Sequence, residues 1–396
     1  MHITTNPDPF VANYVPGHGK DAILRSNEQL PITENCLPLP PPHANVPRVF
    51  VHIGPHKTGT TSIQDYFACN TEFLKQHNTY YLGKINMYDV KKCIQVPPDF
   101  LRPIIQTPSF QGLAKLRYMM HHYTSQGSNV IMSSEDIFNV PKNYTDELFV
   151  NLTHVYPVVG YRRYHEWLLS SYRFTFGEPK WYDMERWRNW DGHDNIPTLA
   201  EFITQFSNRM HPTLESLRKF YEMSQSTVRS CPQVLNFHSG DVTKEFMKLI
   251  TEEDSIPASF YTNVNDESKI FAVDAEMLAL KLHREGKIHI VLSRRVVVDV
   301  IQHKLAMLYK NSTPPLECLT SKEQRLLLEA TKAAESQLLV YFQKPRNDKP
   351  VSKIDTRFCN INLTEMLEQP EWRNLMKKFK TGKLRQDDFK PVNSVP

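Results

Sequence analysis

Lys57 stands in a run whose residue types suit the holding of phosphate: Gly54-Pro55-His56-Lys57-Thr58-Gly59-Thr60-Thr61-Ser62. The lysine supplies a point charge, and Thr58, Thr60, Thr61 and Ser62 supply hydroxyl donors. Gly59 lets backbone approach a ligand closely. With a helix opening at Thr60, the first backbone N–H groups are unpaired, point at the ligand and carry the positive end of the macrodipole. The element before this run must be a strand, and Val49-Phe50-Val51-His52-Ile53 has the apolar, partly β-branched composition of a buried one. An NTPase loop, G-x-x-x-x-G-K-[ST], needs glycine directly before its lysine. Here His56 holds that place, and the glycine comes after the lysine.

A second cluster lies well downstream. His154-Val155-Tyr156-Pro157-Val158-Val159-Gly160-Tyr161 reads as another buried strand running into Arg162 and Arg163. From Tyr164 the spacing is helical, with Trp167, Leu168 and Tyr172 on one face. Arg162 and Ser170 form an Arg-x7-Ser pair about two helical turns apart, so both could reach one ligand group. Arg163 and Ser171 have the same spacing, and both registers stay open.

The order lysine, small residue, Gly59-Thr60-Thr61 resembles the 5′-phosphosulfate loop of the sulfotransferases that use 3′-phosphoadenosine-5′-phosphosulfate (PAPS). In that family an Arg-x7-Ser arrangement binds the 3′-phosphate that distinguishes PAPS from ATP, and Arg162 with Ser170 matches it. The wording around Arg162, Trp167 and Ser170 resembles a bacterial and carbohydrate-type branch. The resemblance covers about residues 48 to 175, and Asn263–Ser268 is similar to a later loop of the same branch. The glycine-rich Arg-Lys-Gly element of cytosolic members is not found.

The resemblance implies sulfuryl transfer from PAPS to an acceptor hydroxyl by in-line displacement, a carbohydrate being the expected acceptor class. By analogy with phosphoryl transfer, positioning and charge stabilisation do most of the work. Lys57 then faces the developing charge on the leaving phosphate, and the amides at Gly59 to Thr61 hold the non-bridging oxygens. The scheme requires no metal. A base must reach the acceptor hydroxyl. Glu135 is the first candidate, because Ser133-Ser134-Glu135 ends an apolar strand, Asn129–Ser133, as in the sugar-type branch. Asp65 is the second, on the helix after the loop, where some heparan-type relatives carry a glutamate. His56 is the third.

Two other classes stand beside this one. A P-loop kinase or NTPase would use Glu135 or Asp136 to hold magnesium, and a non-catalytic binding protein would keep the fold without turnover.

Bulk properties set wide bounds. At 396 residues, 40% apolar and 23% charged, the chain has a globular composition. A net charge of +4 suits an anionic co-substrate but offers no concentrated basic face for nucleic acid. No apolar run is long enough for a membrane span, and the first residues do not read as a signal peptide. Four Asn-x-Ser/Thr triplets, at Asn143, Asn151, Asn311 and Asn362, point to the Golgi lumen and a glycoprotein, with the cytoplasm as the alternative. Six cysteines, Cys36, Cys69, Cys93, Cys231, Cys318 and Cys359, show no C-x-x-C pair or metal spacing.

Positioning these residues calls for an α/β fold: a P-loop-type α/β/α arrangement in three layers, with a central parallel sheet and a largely helical C-terminal third. Residues 1–46, with Leu37-Pro38-Leu39-Pro40-Pro41-Pro42, read as a Pro-rich tail or stem, and 47–396 as the sulfotransferase domain. Expected helices are Thr60 to about His77, Phe110–Tyr123, Val242–Ile250, Asp274–Glu285, Arg294–Leu308, Ser321–Tyr341 and Leu363–Phe379, the last broken at Pro370. Gln233–Phe237 reads as a further strand. Residues 180–225 read as a helical insertion shaping the acceptor cleft, with Trp181, Trp187 and Trp190 available to stack on sugar rings.

Overall fold

Side-chain alternation along one short strand organises the protein. The structure is a computed structural model describing residues 36–40, 46–55, 58–83, 109–134, 148–177, 190, 196–206, 211–224, 228, 230–238, 240–251, 257, 271–310, 312–338, 358–384 and 388. Strand β1 (Val49–His52) is buried throughout. Val49 and Val51 pack on one face of the sheet, followed by Ile53, while Phe50 packs on the other, as the period of two in a strand requires.

Five parallel strands form the sheet. Besides β1 they are β2 (Thr79–Tyr81), β3 (Asn129–Ser133), β4 (Val155–Tyr161) and β5 (Gln233–Asn236), in the order β2-β3-β1-β4-β5. Parallel strands need crossovers, and these supply the outer layers. Helices α1 (Thr60–Cys69) and α2 (Thr71–Gln76) follow β1, and α3 (Phe110–Ser125) precedes β3. Helix α4 (Tyr164–Gly177) leaves β4, and α5 (Leu199–Phe206) and α6 (Pro212–Met223) lead to β5. Helix α7 (Val242–Thr251) follows β5.

Each face has its own core. On one, Leu113, Leu116 and Met120 of α3 and Leu214, Leu217 and Phe220 of α6 meet Val49, Val51, Val130, Met132 and Val159. On the other, Ile63, Tyr66 and Phe67 of α1 and Phe246 and Ile250 of α7 meet Phe50, Ile131, Tyr156 and Val158. Phe67 and Phe246 meet edge to face at 4.9 Å between ring centroids, and burying each such ring contributes roughly 1.5–3 kcal/mol. The protein is therefore α/β in three layers, as the strand–helix alternation leads one to expect.

The chain beyond residue 270 adds α8 (Ala272–Arg284), α9 (Arg294–Leu308), β6 (Leu316–Cys318), α10 (Ser321–Leu338), β7 (Cys359–Ile361), α11 (Leu363–Glu368) and α12 (Pro370–Thr381). Helices α8, α9 and α12 share a core around Leu278, Ile301 and Trp372. Its polar interior holds the buried pair Arg294–Glu276, with Nη2 and Nε at 2.8 and 3.0 Å from one carboxylate oxygen. Helix α4 joins this helical region to the sheet, because Trp167, Leu168 and Tyr172 pack with α5, α8 and α10.

Several expectations are corrected. The helix expected from Thr60 to His77 breaks at Asn70, whose side chain donates to Tyr66 O at 2.7 Å and whose N–H bonds Phe67 O at 3.2 Å. The helical region carries a small antiparallel pair, β6 with β7, closed by the Cys318–Cys359 disulfide.

Residues 36–40 are attached to the domain and are not a free tail. Cys36 is disulfide-bonded to Cys231, Leu37 O accepts the Cys231 N–H at 2.8 Å, and Pro38 O accepts the Tyr156 hydroxyl at 3.0 Å. Helix α6 is a layer of the sheet domain and not part of an insertion. Trp190 is a packing residue: it stacks on His283 at 4.2 Å and donates Nε1–H to Leu292 O at 3.0 Å. Trp181, Trp187 and the loop 263–268 lie outside the described residues.

Candidate functional site

In an open parallel sheet, ligands bind beyond the carboxyl ends of the strands, where crossovers leave in opposite directions. Strand β1 is flanked by β3 and β4, so its carboxyl end is that place. The chain leaves β1 through Gly54 and a cis Gly54–Pro55 bond and re-enters regular structure at α1. Gly59 is the N-cap of α1, with left-handed φ 83° and ψ 14°, a conformation that costs glycine little. Gly59 has no side chain with which to cap α1, so the first-turn amides open toward the loop.

The loop braces itself. The Thr58 hydroxyl donates to Pro55 O at 2.6 Å, and Thr58 is fully buried. The sequence reads Thr58 as a ligand donor; its oxygen instead closes the loop. Thr60 is also buried, whereas Thr61 is exposed and Ser62 half-exposed. Lys57 and His56 lie outside the described residues. Glu135 and Asp136 do too, but the strand before them ends beside the loop, where Ser134 N donates to His52 O at 3.0 Å. The Ser133 hydroxyl and His52 Nδ1 are hydrogen-bonded at 2.8 Å. Asp65 is buried on α1.

The loop rests on β4. Gly160 N donates to Gly54 O at 3.1 Å, and a Cβ at Gly160 would stand 2.6 Å from Thr58 Oγ1 and 2.7 Å from Thr58 Cβ. Only glycine permits that approach. Strand β4 ends directly after it, and Arg162 and Arg163 follow. The Arg162 guanidinium lies over the Phe237 ring at 5.0 Å. Phe237 Cε2 is also 3.8 Å from the position a Cβ would take on Gly59. One aromatic ring thus lies close to both sequence clusters.

The turn after β4 is held by histidines. His211 Nε2 donates to Arg162 O at 3.0 Å, while its Nδ1 accepts Thr213 N–H at 3.1 Å and so caps α6. His238 Nε2 accepts the Arg163 N–H at 3.1 Å. The carbonyl and the N–H belong to one peptide unit, which is gripped from both sides. Full burial pushes the His211 imidazole down to about 4. Burial likewise lowers His165 to about 4, against the opposing pull of Glu166.

Arg162, Glu166 and Ser170 recur every fourth residue and are all half-exposed, with Arg162 Nε 3.7 Å from Glu166 Oε2. Ser171 is buried, and Arg163 turns toward Glu335 at 3.8 Å, where the Tyr161 hydroxyl also donates at 2.7 Å. Of the two registers, Arg162 with Ser170 is the one in which both side chains are half-exposed.

Gly160, Phe237, His238, His211 and Glu166 were not identified from sequence. Phe237 and His238 had a usable signal, since they directly follow a strand at the ligand-binding edge. His211 had only its place before Pro212 at a helix start.

Among the described residues no three His, Cys, Asp or Glu side chains are placed to hold a metal ion. No family model matches the chain, and no curated protein matches it. Solved structures similar to it include an apo GTPase from Pyrococcus abyssi, at 12% identity over 52% of this chain and 96% of that one, with a TM-score of 0.24. Another is a tRNA delta(2)-isopentenylpyrophosphate transferase from Staphylococcus epidermidis, at 11% identity over 85% and 98%, with a TM-score of 0.20. Likenesses this distant carry no argument about reaction, which rests on the site itself.

Proposed function

We propose that the chain is a sulfotransferase that moves a sulfuryl group from PAPS to an acceptor hydroxyl, with carbohydrate as the acceptor class. The observation that carries this reading is the Phe237 ring, against which the Gly59 loop and the Arg162 guanidinium converge. A nucleotide with phosphate groups at both its 5′ and 3′ positions asks for two such anion-holding corners on one sheet edge.

The residues fit such a ligand. The uncapped first-turn amides of α1 hold oxygens of the 5′ phosphosulfate, and Lys57 neutralises charge on the leaving phosphate. Arg162 and Ser170 hold the 3′-phosphate, the arginine by charge-assisted hydrogen bonds. Glu135 takes the acceptor proton as its oxygen bonds to sulfur and the sulfur–phosphate bridge breaks, with Asp65 and His56 as the alternatives. The disulfides Cys36–Cys231 and Cys318–Cys359 support an oxidising compartment, in keeping with the Golgi lumen. Among the described residues no helix is long and apolar enough to cross a membrane.

Thermal-shift titration tests the reading. Strong stabilisation by 3′,5′-diphosphoadenosine, but not by ATP with magnesium, is expected. The reverse pattern favours a kinase or NTPase, while binding without transfer from labelled PAPS to a glycan panel favours a non-catalytic binding protein. Glu135→Gln should cut turnover about a hundredfold with cofactor affinity within a few-fold. An active Glu135→Gln beside a dead Asp65→Asn moves the base to α1.

A further inference from the structure

We propose that Asn151 is an N-glycosylation site, carrying an oligosaccharide on its side-chain amide nitrogen. This rests on the oxidising compartment assigned above and not on sulfuryl transfer. The triplets at Asn143 and Asn311 include asparagines outside the described residues, which leaves Asn151-Leu152-Thr153 and Asn362-Leu363-Thr364 to compare.

The two asparagines have different surroundings. Asn362 is half-buried and its side chain accepts the Glu365 N–H at 3.1 Å, capping α11. The Thr364 hydroxyl of that triplet accepts from Lys281 Nζ at 3.2 Å. Asn151 is exposed at the end of a turn, with φ 64°, a left-handed conformation that asparagine tolerates. The turn is firmly seated: Leu152 is buried and donates its N–H to Phe149 O at 3.1 Å, and His121 Nε2 lies 3.1 Å from Val150 O. Thr153 is exposed. Asparagine and hydroxyl therefore flank a buried leucine anchor and both meet water.

The location is also permissive. The turn leads into the amino end of β4, whose 7 residues separate it from Arg162 at the other end. At about 3.3 Å per residue, an oligosaccharide on Asn151 begins on the order of 20 Å from the candidate anion site. Cys36–Cys231 and Cys318–Cys359 are formed and Cys69 is also disulfide-bonded, the state of a chain matured in an oxidising lumen.

The co-reactant there is an oligosaccharide on a lipid pyrophosphate. The Asn151 Nδ2–C1 bond forms, the C1–O bond to the pyrophosphate breaks with the pair leaving on oxygen, and one amide proton is lost. No oxidant or reductant is consumed.

Peptide mapping of the full chain, recovered from the secretory pathway of cultured eukaryotic cells, tests the site. The Asn151 peptide should appear only after peptide-N-glycosidase, at the mass of the sequence with aspartate in place of asparagine, and not at its encoded mass. Thr153→Ser should keep the modification, while Thr153→Ala and Asn151→Gln should each remove one glycan from the intact mass. Bare Asn151 in a wild-type chain whose disulfides have formed overturns the site and leaves the compartment standing. Bare Asn151 together with free thiols overturns both. Either result is separate from the nucleotide titration, so failure of the sulfotransferase reading remains distinguishable.

Discussion

The loop after β1 closes on its own backbone, whereas the turn after β4 is held by side chains arriving from other parts of the chain. In the first, Thr58 bonds Pro55 O and Gly59 sets the entry to α1. In the second, His211 from the start of α6, His238 from beyond β5 and Glu335 from α10 fix the double arginine. Both lie at the carboxyl end of neighbouring strands of the sheet. A self-closed loop tolerates change around it and depends on a few of its own residues. A corner assembled from distant elements couples ligand affinity to their packing.

Lys57→Ala breaks the first corner at its charge. Turnover should fall about a hundredfold to a thousandfold, roughly 3–4 kcal/mol of transition-state stabilisation, with thermal stability unchanged. Near-normal turnover in the purified variant removes this loop from the chemistry.

Arg162→Ala breaks the second. Affinity for 3′,5′-diphosphoadenosine should drop about ten- to a hundredfold, as expected for a charge-assisted hydrogen bond of ~1.5–3 kcal/mol. Ser170→Ala should cost less. Adenosine 5′-phosphosulfate, which lacks the 3′-phosphate, should bind nearly as before, and equal loss for both ligands would assign the pair to structure.

Gly160→Ala strikes where the corners touch. The new Cβ would press on Thr58 at 2.6–2.7 Å and on its carbonyl oxygen at 2.9 Å. Overpacking of this kind costs about 1–3 kcal/mol, and calorimetric titration should show both ligands weakened together.

Acid should loosen the second corner. His165 and His211 have folded-state values near 4 against an ordinary 6.5. Between those values the unfolded chain binds protons that the folded chain refuses. Their contribution is therefore complete above about pH 6.5 and is lost as pH falls toward 4. Each imidazole should remove about 2 kcal/mol of stability between pH 7 and pH 5. Urea denaturation of His211→Gln should show a flatter pH dependence than the parent, and an unchanged slope rules the imidazole out.

His238→Ala is the mildest test. Losing the acceptor for Arg163 N–H should weaken 3′,5′-diphosphoadenosine by roughly 1 kcal/mol, and His238→Asn, which keeps an acceptor, should recover part of it.

The same contrast explains what could be read in advance. β-branched runs at 49–53, 129–133 and 154–161 gave the sheet strands because burial on both faces leaves an apolar run in the chain itself. Strand β2 escaped notice, because Thr79-Tyr80-Tyr81 is too short to show a period. The pair β6–β7 did too, since all three residues of β6 are exposed and carry no periodic signal. Helix α12 was legible from its Pro370 start, while the break at Asn70 was not, because one side-chain bond to Tyr66 O decides it.

From its own residues the chain determined the α/β class, the phosphate-suited loop and the Arg162–Ser170 spacing, all properties of contiguous segments whose periodicity and turn chemistry are local. Tertiary structure alone decided the rest. It turned the Thr58 hydroxyl inward, tied Cys36 to Cys231, and buried Ser171 while leaving Ser170 half-exposed. It also brought His211, His238 and Phe237 to one peptide unit and one guanidinium. Those contacts join residues far apart in the chain, and no local spacing encodes which of many buried or half-buried side chains will meet.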